Sequence, residues 1–269
     1  MELATQPLKP RANAPYLWRL IATGLSFALF GIGGLCLRVL VFPLLALLPG
    51  DTLTHRRRAR ATVSRLFWLF VQFMYRSGVL TYEVEGVERL GRPGQMIIAN
   101  HPSLIDVVVL IAFIRDANCV VKQSLWDNPC MRGPIRAAQY ISNSGSMDML
   151  DEAADALREG QTLIVFPEGT RTTPGKAPEF HRGAAAIALR GARLVTPVVI
   201  SVEPTTLTKA EPWYRIPSRR FHFRLRVGED IDPQAFAAQG SAPIASRKLN
   251  DYLHQHFMKE LALDERTGT

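Results

Sequence analysis

The chain has 269 residues, 47% of them hydrophobic, with a mean hydropathy of +0.03, which suits one α/β domain of ordinary to large size plus an appendage. Its +8 net charge is local: residues 1–79 hold ten Lys/Arg against two acids, and the remainder balances at 22 of each. That distribution argues against the basic folded face of a nucleic-acid-binding protein, and three cysteines (Cys36, Cys119, Cys130) without metal-ligand or CxxC spacing argue against a disulfide framework and fit a reducing compartment.

Residues 1–15 read as a tail. From Leu20 to Leu37 no residue carries a formal charge; Arg38 interrupts, and "VLVFPLLALLPG" (39–50) continues the apolar run. A straight helix over 20–49 would be about 45 Å long, against a bilayer core of ~30 Å. Two arrangements fit: a span over 20–37 with 39–50 in the membrane plane, or a hairpin that turns back near Gly31, Gly33 and Gly34 and enters one leaflet. A signal peptide is disfavoured, because the run is too long, starts late and lacks an A-x-A-like cleavage site. Bases flanking an apolar run point to anionic lipid head groups. The run "HRRRARATVSR" (55–65) sets the domain after it on the cytoplasmic side, and Lys9, Arg11 and Arg19 favour the hairpin. "RLFWLFVQFMYRSG" (65–78) reads as a helix that suits membrane contact and core packing equally. Residues 16–79 are thus expected to be a membrane-anchoring helical segment, and 80–269 a second, folded domain.

In that domain, strands are expected at 80–86, 95–100, 119–122, 139–142, 162–166, 194–201 and 221–228. Helices are expected at 103–116, 129–138, 146–160, 181–192 and roughly 243–262. Alternating strands and helices predict a mixed, largely parallel α/β sheet flanked by helices. Such sheets collect ligands beyond the carboxyl ends of their strands. That rule selects Asn100-His101-Pro102-Ser103 and "PEGTR" (167–171).

In "NHPSLID", Ser103 and Asp106 fit a capping box, and Pro102 announces a helix start. A second reading uses the same residues. A loop histidine can fold over the first helical turn, so that Asp106 accepts a hydrogen bond from one imidazole nitrogen of His101. The other nitrogen is then left as a general base. In "FPEGTR", Gly169 lets a ligand approach the backbone, Arg171 can grip a phosphate or carboxylate, and Glu168 can hold that arginine or contact a hydroxyl.

"NHPSLID", with its H-x4-D spacing, "FPEGTR" and "VTPVVI" (195–200) resemble the first, third and fourth signature blocks of the 1-acylglycerol-3-phosphate acyltransferase (glycerolipid acyltransferase) family. The resemblance covers roughly residues 80–230. It implies transfer of a fatty acyl group from acyl-CoA or acyl carrier protein to a lipid hydroxyl, with lysophosphatidic acid the leading acceptor. It makes His101 the base, Asp106 its orienting partner, Glu168, Gly169, Thr170 and Arg171 the acceptor's polar site, and Pro197 part of the acyl-side wall. It implies no metal, no cofactor beyond the acyl carrier, membrane lipids as partners, and a place on the cytoplasmic face of the bacterial inner membrane. One block departs from the pattern: where an arginine is expected, "YISNSGS" (140–146) has Ser142, Asn143 and Ser144. Either Lys122 or Arg136 compensates, or the acceptor is a lipid without a phosphate. No G-x-S-x-G elbow, P-loop or H-E-x-x-H run occurs, so a serine hydrolase, a P-loop nucleotide site and a zinc peptidase have no support.

Overall fold

The computed structural model of the protein describes residues 14–267, so most of the expected tail lies outside the described residues. The chain opens with a continuous rod made of α1 (Tyr16–Cys36), a π turn (Leu37–Val41) and α2 (Phe42–Ala46). It is the one helix among the described residues that is long and apolar enough to cross a membrane. Pro43 has no N–H to return to the Val39 carbonyl, and the π turn lies across that break in the ladder. The chain reverses at residues 47–51, around Pro49 and Gly50, and Asp51 caps α3 (Thr52–Arg76) by accepting the Thr54 N–H at 2.8 Å.

A hairpin therefore exists, but it does not turn at Gly31, Gly33 and Gly34, which lie in or beside the middle turns of the rod. Gly34 serves a close approach instead: a Cβ there would overlap the Cys130 carbonyl, whereas a Cβ on Gly33 would meet nothing within 4 Å. Gly34→Ala is accordingly expected to lower the thermal midpoint, through overpacking that costs about 1–3 kcal/mol. Gly33→Ala is expected to hold or raise it. Paired thermal melts of the two variants check this.

Soluble helices bury their apolar stripe. The rod does the reverse: α1 buries Arg19, Thr23 and Ser26 and turns Leu17, Ile21, Leu25 and Ile32 outward. The two hydroxyls are satisfied within the helix, Thr23 by Arg19 O at 2.8 Å and Ser26 by Ala22 O at 2.7 Å. Helix α3 docks on the domain through Val63, Val71 and Met74 while Leu69 stays exposed, which favours core packing for one face of 65–78. The basic run is itself helical. Its Arg60 is 2% exposed and acts as a bolt, donating to Ala138 O (2.8 Å) and Gln161 Oε1 (3.0 Å) and facing Asp116 at 3.5 Å.

Among the described residues, seven strands come after the hairpin: β1 (Leu80–Glu85), β2 (Gln95–Ala99), β3 (Ala117–Lys122), β4 (Ile141–Asn143), β5 (Thr162–Val165), β6 (Leu194–Glu203) and β7 (Phe221–Val227). They form one sheet in the order β1-β7-β6-β2-β5-β3-β4, parallel throughout except where β6 meets β7. The mixed, largely parallel sheet is as expected. One face packs against α3, α4 (Asp106–Phe113) and α5 (Arg132–Ala137). The other packs against α6 (Met147–Arg158), α7 (Gly183–Gly191) and α9 (Ala242–Thr267), the last reached through the short α8 (Gln234–Ala237). Because β2, β5, β3 and β4 are parallel neighbours, their carboxyl ends open on one edge.

Candidate active site

At that edge β2 ends by a side-chain substitution for the ladder. Asn100, 3% exposed, donates to Ile200 O and accepts from Ile200 N–H, both at 2.8 Å. The chain therefore leaves the sheet at His101 with its exit direction held. Ser103 Oγ accepts from Ile105 N–H at 3.2 Å, and Leu104 N–H donates to Leu207 O at 3.1 Å. These bonds occupy residues 103–105 in a turn, so α4 starts at Asp106, three residues later than its pattern predicts.

One carboxylate oxygen does two jobs. Asp106 Oδ2 lies 2.7 Å from both His101 Nδ1 and the Ser103 N–H. Half of the capping box is present together with the histidine contact, so the two readings of "NHPSLID" are compatible. Asp106 is fully buried. Burial pushes its carboxyl above the usual carboxylate range, against the hydrogen bonds from His101 and Ser103. Its Oδ1 has no hydrogen-bond partner among the described residues, an arrangement that costs about 1–3 kcal/mol. A cap alone needs no such burial; the cost is consistent with orienting His101.

The second loop fixes the histidine. His101 N–H donates to Glu168 Oε1 at 2.9 Å, and His101 O accepts the Thr172 N–H at 2.7 Å. The imidazole stacks on Phe166, with centroids 4.3 Å apart and planes at 28°, leaving the side chain 18% exposed. A neutral imidazole that donates Nδ1–H to Asp106 has its free lone pair on Nε2.

The remaining predicted residues divide. Glu168 is 5% exposed and clamps the loops, taking the Thr172 hydroxyl at 3.0 Å as well; it does not hold Arg171. Arg171 instead donates through Nη1 to Leu207 O (2.9 Å) and Thr208 O (2.7 Å), because the strap between β6 and β7 passes under it. Gly169 has φ +63°, so the turn itself demands glycine, and it and Thr170 stand at the loop's tip, where Thr170 is exposed. Lys122 is exposed at the end of β3, in register with Asn143, whose Nδ2 lies 3.9 Å from the position of a Cβ on Gly169; His181 Cδ2 is at 3.6 Å. Arg136 lies on α5 and not at a strand end. Thr172 and His181 join the site without having been singled out by the sequence. Asn100 and Phe166 lie inside the motifs the sequence selects, which assign them no role, whereas nothing local marks the Leu207 and Thr208 carbonyls.

Beside the turn, an apolar cavity of about 220 Å³ runs from Leu104 and Ile105 between α1, α3 and α4, past Phe27, Phe67, Phe70 and Ile111. Pro197 does not line it. In β6 the alternation of side chains puts Val195, Pro197 and Val199 on the opposite face of the sheet, where Pro197 packs on Gly228.

Burial also pushes the Glu168 carboxyl up. A raised folded value means that Glu168 supports the fold most when protonated and withdraws stability as pH rises through that value. Glu168→Gln, which keeps an oxygen acceptor for both bonds, is expected to gain in thermal midpoint relative to wild type on going from acid to neutral pH. Melts across that range check it.

The acyltransferase family model matches residues 81–201 of this chain. The 1-acyl-sn-glycerol-3-phosphate acyltransferase of Pseudomonas aeruginosa is 24% identical over 177 residues, covering 64% of this chain and 65% of that protein. The human 1-acyl-sn-glycerol-3-phosphate acyltransferase beta is 29% identical over 163 residues, covering 55% and 56%. The chain thus spans less than two thirds of the length of these relatives. In structure, the 1-acyl-sn-glycerophosphate acyltransferase PlsC of Thermotoga maritima superposes with a TM-score of 0.64 at 21% identity, over 92% of this chain and 96% of that one, a likeness of fold. The motifs and these relatives agree, and over residues 81–201 the chain is similar to the acyltransferase family.

Proposed function

We propose that the chain transfers a fatty acyl group from an acyl thioester, acyl-CoA or acyl carrier protein, to the hydroxyl of a lyso-lipid, with 1-acylglycerol-3-phosphate the first acceptor. In this reading residues 16–79 anchor the enzyme at the cytoplasmic face of a membrane, and 80–269 form the acyltransferase domain. The observation that carries it is the His101–Asp106 pair at 2.7 Å, beside an apolar cavity. Each methylene that enters such a cavity gains about 0.8 kcal/mol.

His101 Nε2 takes the proton of the acceptor hydroxyl as its oxygen bonds to the thioester carbonyl carbon. Asp106 stabilises the imidazolium that forms. Collapse of the tetrahedral intermediate breaks the carbon–sulfur bond, and Nε2 returns the proton to the departing thiolate. The products are an ester and a free thiol, and His101 is neutral again. Lys122, Gly169, Thr170 and Arg171 receive the acceptor head group, with Glu168 holding the loop that presents them.

A second reading has a lipid acceptor without a phosphate. Asn143 in place of a base, and an Arg171 whose Nη1 is committed to two carbonyls, favour it. The test is a panel assay: purified full-length protein, labelled acyl-CoA or acyl carrier protein, and lyso-lipids and lipid alcohols with and without phosphate. Acylation of 1-acylglycerol-3-phosphate is expected. Transfer confined to phosphate-free acceptors selects the second reading, and no transfer to any acceptor overturns both.

A further inference from the structure

The strap that joins β6 to β7 (204–220) leaves two adjacent aromatic side chains in the open, Trp213 at 43% and Tyr214 at 59% exposure, with ring centroids 5.7 Å apart. Exposed single apolar residues need no explanation, but paired aromatics beside a larger apolar surface do. Trp213 packs on the flank of α1. Its ring lies 3.3 Å from the position of a Cβ on Gly24 and 5.7 Å, centroid to centroid, from Phe27. Both residues are half-buried and border the outward apolar stripe of Leu17, Ile21 and Leu25. Trp213 and Tyr214 therefore continue that stripe beyond the N-terminal segment. Lys209 and Arg215, on the same strap, are exposed.

The strap is fastened at both ends. Arg19, 3% exposed, reaches out of α1 to donate to Pro217 O at 3.0 Å and to Ser218 O. At the other end, Leu207 O accepts the Leu104 N–H of the histidine turn, and Leu207 and Thr208 carbonyls accept Arg171. Bonds to the strap's main chain thus link the Trp213 surface to α1 on one side and to both catalytic loops on the other.

We propose that this strap is a second membrane-docking element. Trp213 and Tyr214 enter the interfacial layer, where amphipathic rings settle with an apolar body and a polar tip. Lys209 and Arg215 meet anionic head groups. The strap then holds the His101 turn at the depth where a lyso-lipid hydroxyl lies. The partner is a lipid surface, because the patch borders the outward stripe of an apolar 31-residue helix and the same strap carries two exposed cations, Lys209 and Arg215. This rests on the membrane-anchored reading and adds a contact outside residues 16–79.

The experiment uses full-length protein with vesicles of phosphatidylcholine and phosphatidylglycerol, some bearing spin-labelled acyl chains with the label near or far from the head group. Subtracting the emission of Trp213→Phe from that of wild type isolates Trp213. A shift to shorter wavelength on vesicle binding, and stronger quenching by the shallow label than by the deep one, are expected. Cosedimentation is measured on the same samples. Protein that cosediments with Trp213 unshifted and unquenched overturns the docking strap alone. Protein that does not cosediment overturns the anchor and the strap together.

Discussion

His101→Ala is expected to slow acyl transfer by about 100- to 10,000-fold, the usual worth of a positioned general base, while the protein stays folded. The fold should tolerate it because what clamps this residue is main chain. Its N–H to Glu168 and its carbonyl to Thr172 survive the substitution, and only the ring contacts with Phe166 and Asp106 are lost. Asp106 is then left without its imidazole partner in a buried site, where burial already favours the neutral carboxyl. The loss should fall on kcat and not on the acceptor's KM. Initial rates with a labelled acyl donor, together with thermal melts, measure both. Wild-type rates in a folded His101→Ala protein would remove His101 from the mechanism.

Asp106→Asn separates the two roles that one carboxylate oxygen performs. Asparagine matches aspartate in shape, and its amide oxygen can still accept the Ser103 N–H. A purely structural Asp106 therefore predicts an active variant. An orienting Asp106 predicts a loss of about 1,000-fold or more, because the amide can donate to Nδ1, move the imidazole proton to Nε2 and cancel the base. Thermal stability should not fall, since a neutral side chain avoids the penalty that burial places on the ionised carboxyl. Low activity with an unchanged or higher melting temperature is the expected pairing, and an active Asn variant would reduce Asp106 to a cap.

Much of the architecture is legible because its signals are local. The buried runs at 95–99 and 162–165 lie within the stretches their apolar pattern assigns to strands, and both end at the polar-rich loops that a parallel sheet is expected to use. The amphipathic pattern of 146–160 closes on Gly160, and the helix found there is Met147–Arg158. Charge distribution alone marks the N-terminal segment as unlike the rest of the chain.

The readings that change are those that depend on what a residue meets across the fold. The glycines near 31–34 carry the composition of a turn, yet Gly34 is used for contact with Cys130, some hundred residues away. Glu168 and Arg171 stand three apart and look like a pair, but each is claimed by another partner: Glu168 by the peptide of His101, Arg171 by the strap carbonyls. The resemblance puts Pro197 in the acyl-side wall, and strand alternation turns it to the sheet face away from the apolar cavity beside His101.

The sequence by itself determined the strands, the helices, the two loops and the apolar N-terminal run, because hydrophobic periodicity and turn chemistry act over a few residues. Only the tertiary structure decided that Asp106 meets His101, that Glu168 locks the histidine's backbone, and that the strap bearing Trp213 joins α1 to both loops. Those contacts join residues on different elements, and their partners are set by strand order and by which buried donors and acceptors remain to be satisfied once the sheet has closed.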